Sequence, residues 1–347
     1  MSSPKRIKLA ANRQTSRGMH PVLPDELTED SPLVAVFVGK IKDPKTTSKV
    51  VLSLNSCLPV AELTHLKRVR CGEVLLFPAE SFALDQVHEF LEAKGFDVQL
   101  LSKEVRIVSV ARIAPKTKKQ HTRVHAFWPC NFHSDKYIEK LSTNTLYTST
   151  EIAQHENYMK MAILVATTAA KLSLSRQLLG VVIVDPKIPS VVALGFSEAH
   201  ENPCRHAPMV AIDNVAKTQN GGVSTSYEPP QDKSALNLSG FHPQLLSVIK
   251  ATFPNGSLGS SWFKGKSALE EPSEGPYLCT NYYAYSTHEP CVMCAMALVH
   301  SRVKRVFYGV KSSNGGLGTL CKVHAVKDLN HHYEVFAELC LDECKAL

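Results

Sequence analysis

The chain has 347 residues, of which 44% are hydrophobic and 20% are charged, and its formal net charge is +7. This length suggests two domains, and the balance of apolar and charged residues is typical of globular cores and excludes a largely disordered chain. No apolar run of about 18 residues occurs, so no membrane span or membrane partner is predicted. The modest positive charge fits a polyanionic partner and equally fits an ordinary, mildly basic protein.

Residues 1–30 are predicted to form a basic, flexible tail. They are polar and contain several prolines, and they lack the apolar segment of a secretory signal. The run 4–9 (PKRIKL) resembles a nuclear import signal, although such short runs are more often part of a solvated tail. We expect the protein in the nucleus and cytoplasm, with its ten cysteines as thiols or metal ligands rather than as a disulfide framework.

Residues 31–125 are predicted to form a small α+β domain. The pattern indicates a strand at 33–38, a helix at 45–57, a hairpin at 63–77 that turns at Cys71-Gly72, and a helix at 81–94. Ser81 is the expected N-cap of that second helix, and one or two further strands follow at 98–113. The order β-α-β-β-α-β is typical of a ferredoxin-like sandwich.

This predicted domain carries two basic clusters. Such clusters can contact the phosphates of RNA and supply salt-dependent affinity, but they are also typical of a solvated edge strand and a linker. The sequence alone does not decide between these two interpretations. The candidate RNA-binding residues are Lys67, Arg68 and Arg70 in the first cluster, and Arg112, Lys116, Lys118, Lys119 and Arg123 in the second.

Residues 126–148 are predicted to be a linker, and 149–347 a second, α/β domain. Its expected elements are a long helix to about residue 172, a hairpin at 180–196, and a helix from His206 to about Thr218. A flexible insertion is predicted at about 220–276 because Gly, Ser and Pro are frequent there; a short amphipathic segment occurs near 245–249, and 262–266 could touch RNA. The remaining predicted elements are a strand at 277–285, a helix opened by Pro290, a strand at 303–308, and a closing strand and helix.

Three residues of the second domain predict a metal site. Cys291 and Cys294 form a Cys-x-x-Cys at the start of a helix, and His206 opens another helix upstream. The cysteine pair alone would also fit a redox pair or half of a structural zinc site, but Cys340 and Cys344 are too widely spaced for the usual second half. Together, one His and two Cys predict Zn²⁺ with a fourth position left free, as in catalytic zinc sites.

The second domain resembles the cytidine deaminase-like fold, and within it the tRNA adenosine deaminase branch. The resemblance rests on 287–298 (THEPCVMCAMAL), on 202–207 (NPCRHA) and on 329–331 (LNH). It implies a three-layer α/β/α domain with a mixed sheet, and bound Zn²⁺. In these deaminases a Glu lies two residues after the ligand His, and here that position is Pro208.

Together with the basic N-terminal domain, Pro208 makes the chain similar to the non-catalytic subunits of eukaryotic heterodimeric tRNA wobble adenosine deaminases. The resemblance implies that the missing Glu removes the proton shuttle, that a catalytic tRNA adenosine deaminase subunit is the partner, and that tRNA is bound. Two alternatives stay open. One is an independent deaminase of free bases or nucleosides; the other is an RNA-binding protein with structural zinc, whose fourth ligand could be Cys340, Cys344 or the C-terminal carboxylate.

Overall fold

The structure is a computed structural model, and it describes residues 18–80, 83–223, 236–261 and 276–347. The chain divides into two compact units, which we call the N-terminal unit (Leu23–Leu146) and the C-terminal unit (Met1–Val22 with Tyr147–Leu347). Strands and helices are numbered along the whole chain. The basic run at 4–9, the predicted N-cap Ser81 and the segment 262–266 lie outside the described residues.

The N-terminal unit is built around a four-stranded antiparallel sheet in the order β3-β4-β2-β5. Its elements are α1 (Asp25–Thr28), β2 (Leu33–Ile41), α2 (Thr47–Cys57), β3 (Val69–Arg70), β4 (Glu73–Pro78), α3 (Val87–Ala93), β5 (Leu101–Ala111), α4 (Lys118–His125) and α5 (Lys136–Ser142). From β2 to β5 the order is the predicted β-α-β-β-α-β of an α+β domain. The predicted hairpin turn is present, since Cys71 and Gly72 both have positive φ, 49° and 80°.

The two faces of this sheet are covered by different parts of the chain. One apolar cluster joins the sheet to α2 and α3, and the other joins it to Val124 of α4 and to Trp128. Trp128 is fully buried, and its Nε1 donates a hydrogen bond to the carbonyl oxygen of Lys67 at 2.6 Å. The segment 126–148, predicted as a linker, therefore contributes to the core and contains α5. A single Trp beside Pro129 has no periodicity that could have revealed this packing.

The C-terminal unit is built around a seven-stranded mixed sheet in the order β1-β11-β10-β9-β6-β7-β8. Its elements are β1 (His20–Pro21), α6 (Ser149–Lys171), β6 (Gly180–Asp185), β7 (Ser190–Phe196), α7 (Ala207–Thr218), α8 (Pro243–Thr252), β8 (Ser257–Leu258), β9 (Tyr283–His288), α9 (Val292–His300), β10 (Arg305–Val310), β11 (Glu334–Ala337) and α10 (Leu341–Lys345). Strands β9, β10 and β11 run parallel, whereas β6 is antiparallel to both β7 and β9.

Helices cover both faces of the larger sheet. Helices α7 and α9 share one apolar cluster with β6, β7, β9 and β10. On the opposite face lies α6, whose His155 ring stacks on Phe307 of β10 at 4.4 Å between centroids. The predicted three-layer α/β/α arrangement is confirmed. The predicted strand at 277–285 begins only at Tyr283, because the preceding residues form a turn in which Thr280 N donates to Tyr277 O at 3.0 Å and Tyr282 N to Cys279 O at 2.9 Å.

Parts of the predicted tail and insertion are ordered elements of the C-terminal unit. His20 and Pro21 pair with Ala337 and Phe336 of β11. In the insertion, β8 pairs with β7, and α8 buries Leu245, Leu246 and Ile249. Local sequence could not indicate these elements, because two-residue strands and one short amphipathic helix depend on tertiary contacts for their stability. Among the described residues, no helix is both long enough and apolar enough to cross a bilayer.

A glycine in β7 permits the close approach of α7. A Cβ built on Gly195 would overlap the carbonyl oxygen of Ala207 and lie 2.6 Å from Ala211 N. We expect Gly195→Ala to lower the free energy of unfolding of the C-terminal unit by roughly 3 kcal/mol, the upper range for overpacking, because both obstructing atoms are backbone atoms. Urea unfolding followed by circular dichroism measures this. Gly18→Ala, with no atom within 4 Å of its added methyl group, is the control and should be neutral; equal midpoints would contradict the close approach.

Candidate metal centre and basic surface

The predicted metal ligands lie at the starts of two helices. His206 is the N-cap residue of α7, and Cys291 is the N-cap residue of α9. Cys294 lies one turn further along α9 and is buried, with 1% of its surface exposed. Because each helix begins directly after a segment that leaves the sheet, the sheet and the two helix starts together position these three side chains.

The three ligand atoms are arranged as a tetrahedral zinc site requires. Nδ1 of His206 lies 3.5 Å from Sγ of Cys291 and 3.6 Å from Sγ of Cys294. Zn–N bonds of about 2.1 Å and Zn–S bonds of about 2.3 Å at a tetrahedral angle place the nitrogen and sulfur about 3.6 Å apart. His206, Cys291 and Cys294 therefore fit a Zn²⁺ ion with one coordination position left for a further ligand.

The charge balance at the site also suits a cation. Burial raises the pKa of the Cys294 thiol, and the neighbouring Cys291 sulfur raises it further. A thiolate pair here therefore requires a positive partner, and a coordinated Zn²⁺ deprotonates thiols outright. The starts of α7 and α9 add positive potential from their helix dipoles, which lowers the cost of the two negative sulfurs.

A cavity of about 330 Å³ lies beside the ligands, and Pro208 is part of its wall. Pro208 stands in the first turn of α7, where a missing N–H costs no hydrogen bond. Besides the ligands and Pro208, the lining includes five polar side chains that the sequence did not single out, Gln177, Ser286, His288, Ser312 and Asn314. Only His288 had a local clue, since it precedes the Glu-Pro-Cys motif directly.

Glu289 also lines the cavity, but its carboxylate is fully engaged. It accepts hydrogen bonds from the backbone N–H groups of Ser312, Leu317 and Thr319 at 3.3, 2.9 and 3.0 Å, and from the Thr319 hydroxyl at 2.5 Å. The side chain is buried, and a Cβ on Gly315 would overlap its carboxylate. Glu289 therefore holds the loop 312–319 against the start of α9 rather than acting as a free base.

The acids that follow β7 and the two thiols considered as fourth ligands have other partners or face solvent. Glu198 forms an ion pair with Arg205, which also lies 3.8 Å from Asp213, and Glu201 is 65% exposed. Cys340 Sγ donates to the Glu156 carbonyl, and Cys344 lies against Gly309. Among the described residues, neither thiol belongs to the ligand group of the site, so the structure does not support either as a fourth ligand.

The candidate RNA-binding residues differ in availability. Arg68 is half-buried and donates to the carbonyl oxygens of Leu58 and Leu76, and burial lowers its pKa. This internal role removes Arg68 from a solvent-facing patch. Arg70 donates to the Phe127 carbonyl and lies over the Trp128 ring at 5.9 Å.

The second cluster is partly paired within its own unit. Lys116 forms an ion pair with Glu26 at 2.6 Å, and Arg123 pairs with Asp30. Lys67 and Arg112 are exposed, and so are Lys118 and Lys119 in the first turn of α4. Arg123 is exposed as well but paired, whereas no ion pair of these four exposed side chains is found among the described residues.

The fold and the three candidate ligands define a protein of the cytidine deaminase-like class. A family model described as the cytidine and deoxycytidylate deaminase zinc-binding region matches residues 152–310, and one described as MafB19-like deaminase matches 279–344.

Similar proteins narrow the class further. A mouse protein named "Probable inactive tRNA-specific adenosine deaminase-like protein 3" is 34% identical over 94% of this chain and 90% of its own length. The Arabidopsis thaliana protein "tRNA-specific adenosine deaminase TAD3" is 27% identical over 93% of this chain and 95% of its own length. The Schizosaccharomyces pombe protein "tRNA-specific adenosine deaminase subunit tad3" is 24% identical over 76% of this chain and 68% of its own length. The chain belongs to this family of tRNA-specific adenosine deaminase-like 3 proteins.

The Glu289 carboxylate and its hydrogen bonds to the loop 312–319, which we call the Glu289 clamp, lead to a testable prediction. Glu289→Ala leaves three backbone N–H groups and one hydroxyl without their acceptor, so we expect the free energy of unfolding to fall by roughly 3 kcal/mol. Thermal or urea unfolding of the purified chain measures the loss. Glu201→Ala, at an exposed glutamate near the same site, should change it by less than about 0.5 kcal/mol. Equal stability of the two variants would contradict the clamp.

Proposed function

We propose that the protein is a zinc-binding, non-catalytic subunit that pairs with a catalytic tRNA adenosine deaminase subunit to convert the wobble adenosine of tRNA anticodons to inosine. The observation that carries the proposal is the metal centre with Pro208 in its wall. The ligand set of a deaminase is kept, while the side chain at the proton-shuttle position has no ionisable group.

The residues of the centre support a structural use of the metal. His206, Cys291 and Cys294 would hold the Zn²⁺, and in related chemistry the bound metal lowers the pKa of a coordinated water to about 7. General acid–base catalysis, typically worth about 10²–10⁴-fold, needs a group that accepts and returns a proton near that water. Pro208 cannot do this, and the Glu289 carboxylate is engaged by four donors. The ligands would instead tie the starts of α7 and α9 together.

One observation favours the alternative of an independent deaminase. His288 lines the same cavity, and burial lowers its pKa, so its imidazole is neutral at pH 7. A neutral imidazole can accept and return a proton, the task of the missing Glu in related deaminases. Its Nδ1 lies 3.2 Å from the Thr287 hydroxyl, which leaves Nε2 as the group for such a task.

The activity experiment separates the two functions. The purified chain is assayed for inosine formation on tRNA and on free adenosine and cytidine, alone and with a catalytic subunit that carries His-Ala-Glu. We expect turnover only on tRNA and only with the partner. Turnover by this chain alone would overturn the proposal, and its loss in His288→Asn would then identify the base.

The proposed tRNA contribution rests on the basic surface of α4. Lys118 and Lys119 are exposed at its start, and α4 packs on the sheet face opposite to α2 and α3. Lysines that neutralise phosphates release counterions, so they contribute affinity that falls as salt rises. Lys67 and Arg112 are further solvent-facing members of the proposed contact set.

A paired substitution tests this surface. Lys118→Ala with Lys119→Ala should weaken tRNA binding by the heterodimer and reduce the slope of log affinity against log salt by about 1 to 2. The matched control is Lys45→Ala with Lys49→Ala, which removes the same charge from exposed positions at the opposite face of the unit. If both double variants lose the same affinity and slope, only net charge matters and the proposed surface is wrong.

Nuclear and cytoplasmic localisation is part of the same proposal. Its support is the basic run at 4–9 in the sequence, together with a substrate class found in both compartments. Deleting residues 4–9 from a fluorescently tagged chain should reduce its nuclear fraction.

A further inference from the structure

We propose a second zinc site, in the N-terminal unit, formed by His121, His125 and Cys130. We call these residues the His–Cys cluster. The site is separate from the deaminase-like centre, and it stands whether or not the proposed function is correct.

The geometry places three metal-ligating atoms together. His121 and His125 lie one turn apart on the same face of α4, the spacing that presents two imidazoles to one metal. One ligand atom from each of these residues and from Cys130 lies within 4.8 Å of the other two. Tetrahedral zinc needs separations of about 3.3–3.6 Å, a difference that small side-chain rotations can close. Two imidazoles and one thiolate suit Zn²⁺ better than a hard, oxygen-preferring cation.

The backbone around the cluster is fixed on both sides. Thr117 caps α4, with its hydroxyl accepting from Gln120 N at 3.2 Å. The chain then turns back, and the segment around Cys130 pairs with the segment around Leu66: Lys67 N donates to Pro129 O at 2.9 Å, and Asn131 N donates to His65 O at 2.8 Å. The thiol is therefore brought to the helix by hydrogen-bonded backbone rather than by a loose loop, so little conformational entropy is lost on binding.

The surroundings of the ligands favour a metal with one solvent-derived ligand. Cys130 is 4% exposed, His121 is half-buried, and His125 faces solvent, so the cluster opens outward on one side. The His121 ring stacks on Phe132 at 4.8 Å with planes 14° apart, which fixes its orientation. His125 is the last residue of α4, where the negative end of the helix dipole stabilises a cation.

Basic side chains near the cluster oppose the binding of a cation, and the thiolate of Cys130 counters them. Lys118, Lys119 and Arg123 lie on the same helix and raise the local potential, although Arg123 is paired with Asp30. Deprotonated Cys130 would offset one charge of the ion directly. The bound metal would join the end of α4 to the segment that carries Trp128, and so hold the basic helix on the sheet.

Metal content of the full-length chain tests the site. The chain is dialysed against buffer with free Zn²⁺ held at nanomolar concentration, which removes weakly bound ions, and zinc is measured by mass spectrometry. We expect two equivalents in the wild type and one in His125→Ala, where the truncated side chain is exposed and the core of the unit is unchanged. His133→Ala, at another exposed histidine of the unit, is the control and should keep two.

A second series separates this site from the deaminase-like centre. Cys291→Ser with Cys294→Ser should keep one equivalent, and adding Cys130→Ser should remove it. With Co²⁺ in place of zinc, the first of these variants should keep the near-ultraviolet thiolate-to-metal absorption and the second should lose it. One equivalent in the wild type that disappears with Cys291 and Cys294, or two equivalents unchanged by His125→Ala, would overturn the proposal. One equivalent that disappears with His125→Ala would instead support this site and count against zinc at the other centre.

Discussion

The close meeting of two helix starts is the constraint on which the C-terminal unit depends. His206 and Cys291 are both N-cap residues. At each of them a loop ends and a helix begins, and their side chains converge at this point. Gly195 lets α7 approach β7 closely enough for this, and Glu289 holds the loop 312–319 at the start of α9. The ligand geometry is thus a product of strand ends, helix caps and one buried carboxylate.

This architecture explains why the loss of the shuttle carboxylate leaves the fold intact. Pro208 occupies a position in the first turn of α7 where its ring fits the helix and its missing N–H has no partner to lose. The stabilising interactions of the centre belong to Glu289, which has a different set of partners. Chemistry and stability therefore reside in different residues of one motif, and the first can disappear while the second persists.

Local sequence patterns predicted the elements whose stability is mainly local. The Cys71-Gly72 turn follows from turn chemistry, the long helix α6 from periodicity, and the candidate ligand pair Cys291 and Cys294 from its spacing. Features that depend on distant contacts were not predictable in this way. Trp128 is in the core only because the chain returns to Lys67.

The basic residues of the N-terminal unit also show what local sequence cannot predict. Arg68 looked like its basic neighbours in the sequence, yet its guanidinium serves two carbonyl oxygens inside the unit. The pairing of Lys116 with Glu26 joins residues 90 positions apart, which no spacing rule contains. Sequence identified where positive charge accumulates, but tertiary structure decides which of those charges remain free to meet a phosphate.

The ends of the seven-stranded sheet have a consequence for assembly. Each outer position is held by a strand of only two residues, β1 beside β11 and β8 beside β7. Such short edge strands offer few unpaired backbone groups with which a strand of another chain could pair. This feature protects proteins against edge-to-edge aggregation. Partners of this unit are therefore expected to dock side chain against side chain on its helical layers, where recognition can be selective, rather than through main-chain pairing, which accepts almost any sequence.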